Sequence, residues 1–338
     1  MAGITHFEEF QKPTLRGLVD ESIKELEPTL GDKFLPNMNV YSTEVAYDII
    51  KTSKYIAPMI GYGAEPPIVD RDEVSRALRG EVGKMGLKHV VTEEELLKLN
   101  QSRSEAENRG LIDALTVSGL KLVDAINRRV AVMKMEALTK GTFTHVKNNV
   151  KINVDFGIPA EHKIALSAVS DWDDADRDVI QDLLDFTAVY EDTNGLMPTD
   201  VLISRQAFAK LTKNNVIIAE VGRENIRRAS ESEVQSVMDF HGLPRFTIVG
   251  DRKTTVRNIY DDGSTVIEFM PENRLVFLSE GVGDFMFAPT VENDFEPGVV
   301  LMAYDHHNPI YSAMEAIAAG FPAVRNPYLI MHADVYTV

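Results

Sequence analysis

Leu111, Leu115, Gly119, Leu122, Ile126, Val130, Met133 and Ala137 follow one another in steps of three and four, one continuous helical stripe. Ser102 with Glu105 forms a capping-box pattern ahead of it, and Gly141 stands where a left-handed stop belongs. The pattern predicts a helix over 102–140, roughly 58 Å long at about 1.5 Å per residue. Few flanking charge pairs and Gly119 on the stripe argue against a coiled-coil seam. A long spine crossing a flat domain fits better.

Shorter periods surround it. Leu15, Leu18, Val19, Ile23 and Leu26 share one face of a predicted helix over 14–27, with Thr14 after Pro13 as its cap and Pro28 at its end. Tyr41, Thr43, Val45, Tyr47 and Ile49 alternate as in a strand. Residues 60–91 keep no period. Glycines at 61, 63, 80, 83 and 86 and the Pro66-Pro67 pair predict a projecting arm or long hairpin rather than core. Thr92 and Glu95 form another capping box.

Beyond the spine, "VKINVDFG" reads as a strand. "SDWDDADRDVIQDLLDFTAVY" reads as a helix whose first turn is acidic, which suits the positive end of its dipole. "TDVLISRQAFAKLTK" is a strand entering a helix capped by Ser204. Ser230 and Glu233 open a helix that ends at His241-Gly242. The short strands "RFTIVGD", "TTVRNIY", "STVIEFM", "RLVFLS" and "DFMFAP" follow, with "DDGS" as a turn. The order predicts a mixed α+β fold without repeated βαβ units.

Charge and composition narrow the function. The 338 residues carry a formal net charge of −17 and no cysteine. Thiolate metal sites and disulfides are therefore excluded. No segment reaches the roughly 20 apolar residues of a membrane span, and "MAGITHFEEFQKP" has no signal-peptide pattern. The basic stretches "NRRVAVMK" and "RENIRRAS" are too sparse for a DNA-reading face. Arg128 and Arg129 are expected on the wet side of the spine.

The most tempting chemistry is Asp305-His306-His307. On a strand, adjacent side chains diverge, so the two imidazoles would not meet on one ion. No HExxH spacing or further acidic motif supplies the remaining ligands. A polar loop closed by Asn308-Pro309 is the plainer reading, and a metal-dependent hydrolase built on this triplet is an alternative. Asp171, Asp173 and Asp176 resemble a calcium loop, but Asp176 stands where glycine is required. "GVGDF" at 281–285 precedes a strand, whereas phosphate loops precede helices. Ser279 lacks the surroundings of a nucleophile elbow. No catalytic set, cofactor or metal is expected.

The order of segments resembles the tailed-phage major capsid proteins of the Hong Kong 97 (HK97) shell fold, and among them the lambda-type major capsid protein E family. The resemblance rests on "YIAPMIGYGAEPPIV" opening the arm and "LKHVVTEEEL" closing it, the spine, and "VDFG" with "SDWDDADRDVIQDLLDF". It rests further on "DVLISRQAFAKL", "FMPENRLVFLSEGVGDFMFAP" and the final "NPYLIMHADVYTV". It implies an N-arm over 1–38, a strand of the peripheral P-domain over 39–59, and an E-loop over 60–91. P-domain follows over 92–187, an axial A-domain over 188–310, and a C-terminal return to the P-domain over 311–338. Arm and E-loop placement make Leu15, Leu18, Ile23, Pro66, Arg71, Arg79, Glu81 and Lys84 candidate inter-subunit contacts. The implied protein is no enzyme. It is a virion shell subunit, assembled in the bacterial cytoplasm into an icosahedral shell of hexamers and pentamers around double-stranded DNA, without reading its sequence. The implied partners are a separate scaffolding protein, because no long charged N-terminal extension is present, a portal protein, and a decoration protein as a further candidate. The related alternative is an encapsulin-like nanocompartment shell.

Overall fold

The computed structural model describes residues 3–42, 44–50, 74–101, 104–147, 150–167, 171–222, 228–257 and 264–338. Helix α1 (Lys12–Glu25) starts two residues before Thr14. Pro13 sits in its first turn, where a missing N–H leaves no bond unmade, so Gln11 holds the cap position. Strands β1 (Asn37–Asn39), β2 (Glu44–Ile50), β3 (Val74–Glu81) and β4 (Gly83–Val91) follow. Helix α2 (Glu93–Asn100) opens on the reciprocal Thr92–Glu95 capping box. The spine is α3 (Glu105–Lys140), about 54 Å long. Its cap is Ser104, which accepts from Glu107 N–H at 3.2 Å. Ser102, the expected cap, lies outside the described residues. Gly141 closes the helix at φ 67°, as the pattern required.

A hairpin of β5 (Thr142–Lys147) and β6 (Val150–Asp155) leads to β7 (Lys163–Ala165). Helix α4 (Val179–Asn194) begins later than expected. The acidic residues ahead of it form turns instead. Asp171 accepts from Asp173 and Thr337 N–H, and the buried Trp172 indole donates to Asp182 at 3.1 Å. Asp178 caps the helix through Gln181 N–H at 3.0 Å. Next come β8 (Asp200–Ser204), α5 (Arg205–Leu211), α6 (Asn215–Val221), α7 (Glu231–Phe240) and β9 (Arg245–Val249). Ser204 caps α5, and Ser230 with Glu233 caps α7, both as expected. Strands β10 (Lys253–Arg257) and β11 (Ser264–Glu268) pair as a hairpin. Most of its "DDGS" turn lies outside the described residues. The chain finishes with β12 (Arg274–Leu278), β13 (Gly283–Ala288), β14 (Val300–His307), β15 (Ile310–Val324) and β16 (Ile330–Asp334).

Two five-stranded sheets organise two cores. The first sheet runs β1-β13-β15-β14, with β4 on the other edge of β15. The spine lies on it. Ile126, Val130, Met133 and Ala137 belong to one buried cluster with Phe285, Met314, Phe321 and Ala323. Gly119 lets helix and sheet approach: a Cβ there would stand 3.2 Å from Leu301 and 3.3 Å from the Met314 sulfur. The second sheet runs β7-β16-β12-β8-β9. It packs with α4, α5, α6 and α7 around Val201, Ile203, Phe277 and Met331.

This partition differs from the expected segments. Residue 310 falls at the β14–β15 turn, so both strands stay in the spine's sheet. Strand β16, expected to return to the spine's domain, runs in the second sheet because Met331 and Ala333 face its core. Strand β4, expected within the arm, is built into the spine's sheet over Gly83–Val91. Arg129 also departs from its expected wet position: its guanidinium lies over the Phe143 ring, 6.0 Å from the centroid, while Arg128 is exposed and pairs with Asp124.

Candidate inter-subunit surfaces

The residues before α1 are tied to the far end of the chain. Ile4 N–H donates to the Asp305 carboxylate at 3.1 Å, and the Thr5 hydroxyl donates to it as well. Ser312 Oγ donates to the same carboxylate at 2.6 Å. Gly3 abuts the group so closely that any side chain there would collide with it. Burial pushes the Asp305 carboxyl up, but the donors from Ser312, Thr5 and Ile4 outweigh it and hold its pKa below the ordinary value. Ile4, Phe10, Leu15 and Val19 are then buried, and α1 lies on β14. Leu15, expected between subunits, is thus spent in its own core. Leu18 is half-buried against the same cluster, and Ile23 alone of the three stays exposed, at 40%.

The His306-His307 pair ends a strand rather than forming a loop, and Asn308-Pro309 makes the hairpin turn. His306 stacks on Tyr311, with ring centroids 4.7 Å apart and planes 11° from parallel. The Lys88 ammonium lies over Tyr304 at 4.9 Å and Tyr311 at 5.0 Å. Asp305 is spoken for by the N-terminal segment, and alternation sends His306 to the opposite face. Among the described residues no three His, Asp or Glu side chains converge on a point where an ion could sit.

The remaining candidates fall in three places. Pro66 and Arg71 lie outside the described residues. Arg79 and Glu81 lie on β3, opposite Ala46 and Glu44 of β2, and their side chains are outside the described set. Lys84 opens β4 and pairs with Glu292 at 2.5 Å. Glu292 belongs to the loop 289–298, between β13 and β14, which Lys12 of α1 also reaches through Asp294. Tyr41 completes the set with a 3.3 Å bond to Glu296. One short loop therefore gathers α1, β4 and the segment ahead of β2. Neither periodicity nor composition drew attention to it.

A second tie escaped sequence reading. Lys134, on the spine, is fully buried. Its ammonium donates to Asp32 and, at 2.6 Å, to Asn37 Oδ1, and lies 5.4 Å from the Phe285 centroid. Burial pulls its pKa down, with Asp32 resisting. It ties the turn at 30–33 to the spine. Gly31 permits that approach, since a Cβ there would meet the Lys134 Cβ at 2.9 Å.

The geometry of the described residues is that of packed sheets and tethered loops. The profile of the phage major capsid protein E family matches residues 19–318. The chain belongs to that family. It is a structural protein of a phage capsid, not an enzyme, and its place is the shell of the virion. The hydrolase and nanocompartment alternatives give way to this match. Solved structures agree in fold. A phage-related protein from Bordetella bronchiseptica RB50 is similar over 94% of this chain and 96% of its own, at 11% identity and TM-score 0.58. A protein assigned as the capsid protein of a prophage in E. coli CFT073 is similar over 96% of this chain and 98% of its own, at 15% identity and TM-score 0.62. The architecture of this capsid protein is the HK97-like fold. No curated protein matches its sequence.

Proposed function

We propose that many copies of this capsid protein close into an icosahedral shell of hexamers and pentamers around double-stranded DNA. In this reading the spine with its sheet is the peripheral domain, and the second sheet with α4 to α7 is the axial domain that meets its symmetry mates. The segment between β2 and β4 reaches a neighbouring subunit, as do Pro66, Arg71, Arg79 and Glu81 along it. A separate scaffolding protein, a portal protein and a decoration protein are the further partners, and assembly takes place in the host cytoplasm. The net charge of −17 suits a wall that packed phosphates slide past.

The observation that carries this reading is the family match over 19–318, joined to a fold whose arm starts and ends on structured strands. The arm is therefore separable from the core. Replacing residues 51–73 by a short turn, which leaves β2, β3 and β4 in place, is expected to yield a folded, soluble subunit that forms no stable shells. Circular dichroism and sedimentation velocity read the two properties. An unfolded deletion variant, or one that still forms complete shells, contradicts the arm assignment.

A further inference from the structure

The loop 289–298 is built at a cost that its own subunit does not explain. Asp294 at φ 54° and Phe295 at φ 64° are consecutive non-glycine residues in left-handed conformation. Side chains adopt that region rarely, and a strained backbone persists only where its surroundings over-determine it. They do here. Pro289 and Pro297 bridge the loop's neck, and Phe295 N–H donates back to Thr290 O at 3.0 Å. Lys12 and Lys84 clamp Asp294 and Glu292 from two other elements. Among the described residues Thr290 Oγ1 and Glu292 Oε2 are buried without a partner. This investment holds two apolar side chains in water: Val291 is 70% exposed and Phe295 69%. A subunit on its own gains nothing from that display.

The same chain carries a matching hollow. Leu26 at the end of α1 and Val117, Leu120 and Lys121 on the spine line a depression of about 240 Å³. Leu26 and Val117 are exposed within it. The charges complement each other. Among the described residues Lys121 makes no ion pair, while Asp124 beside it is held by Arg128 at 2.6 Å. Across the knob, Glu292 and Asp294 have their lysines, whereas among the described residues the Glu296 carboxylate has only the 3.3 Å bond from Tyr41. We infer that Val291 and Phe295 of one subunit seat in the Leu26–Val117–Leu120 hollow of a second copy, with Glu296 meeting Lys121. The inference rests on the capsid reading, in which copies of this chain meet at high local concentration. Knob and hollow are different surfaces, so the contact is heterologous and builds rings or open arrays rather than isolated pairs.

The absence of cysteine makes the test direct. Phe295→Cys and Val117→Cys are prepared as separate proteins, each checked by circular dichroism, mixed and mildly oxidised. A non-reducing gel is expected to shift from one chain mass to two in the mixture and far less in either protein alone. Adding Glu296→Lys to the Phe295→Cys chain should abolish the shift, and Lys121→Glu on the Val117→Cys chain should restore it. A mixture that stays at one chain mass overturns the pairing. So does a crosslink indifferent to both charge changes. Electron microscopy of the unmodified protein, co-expressed with the proposed scaffolding protein, is scored separately. Shells without the crosslink overturn the pairing and leave the capsid reading standing. A crosslink without shells does the reverse, and monomers without crosslinks overturn both.

Discussion

Two buried histidines hold β16 from either side. His332 Nε2 donates to Leu138 O at the end of the spine, 2.8 Å away, and His162 Nδ1 donates to Ile330 O at 3.0 Å. Burial, reinforced by the nearby Arg274 charge, pushes the His332 pKa down to about 4, and burial lowers that of His162 as well. Among the described residues His162 Nε2 has no partner, so a proton there would find no acceptor among them. An unfolded histidine titrates near 6.5, as it does in short peptides, so between about 6.5 and 4 only the unfolded chain takes up the His332 proton. Stability is therefore full above the unfolded value and falls as pH drops toward 4, by about 3 kcal/mol for His332. Urea unfolding of the unassembled subunit at pH 7 and 4.5 measures the fall. His332→Gln should flatten it, and an unchanged slope would remove His332 from the account.

At the scale of elements, what was legible followed from local chemistry. The boxes at Thr92–Glu95 and Ser230–Glu233 and the Gly141 stop all formed because their partners lie within one turn. The spine stripe was readable because burial repeats with the helix. What failed was positional or long-range. An acidic run favours a helix start without saying which residue caps it, so α4 began at Val179 rather than in the run. Glycines at 83 and 86 hid β4 in a stretch without a period, and the sheets that β4 and β16 join are set by pairing with distant strands. The loop 289–298 gave little signal because the two left-handed residues at its tip are Asp294 and Phe295, and its one positive-φ glycine, Gly298, stands at its end. The same burial pattern separates two substitutions. Ile126 is 2% exposed inside the spine's core, so Ile126→Asp strands a charge there and should cost roughly 4 kcal/mol or more, read as insoluble or unfolded subunit. Ile23→Asp lies on the exposed side of α1 and should stay within about 0.5 kcal/mol in the same denaturation assay. Equal damage from both would mean that α1 is packed differently.

For the whole molecule, the second sheet turns Leu202, Val276, Leu278 and Ile330 into the spine's core, and two polar ties reinforce the join: His332 to the spine's last turn, and Arg274, which bonds Thr139 O at 3.0 Å while pairing with Asp334. Around these cores the loop 289–298 leaves Val291 and Phe295 exposed, apolar surface that a neighbouring copy would cover. Individual contacts of that kind are modest, and a closed array multiplies them by symmetry. The subunit should therefore be more stable in an assembly than free, as any protein is whose folded form alone is bound. The most direct measurement is electron microscopy of the wild-type protein, co-expressed with the scaffolding protein proposed for it and purified by sedimentation. Uniform closed shells of hexamers and pentamers are the predicted result. Monomers or small closed oligomers under the same conditions would contradict it.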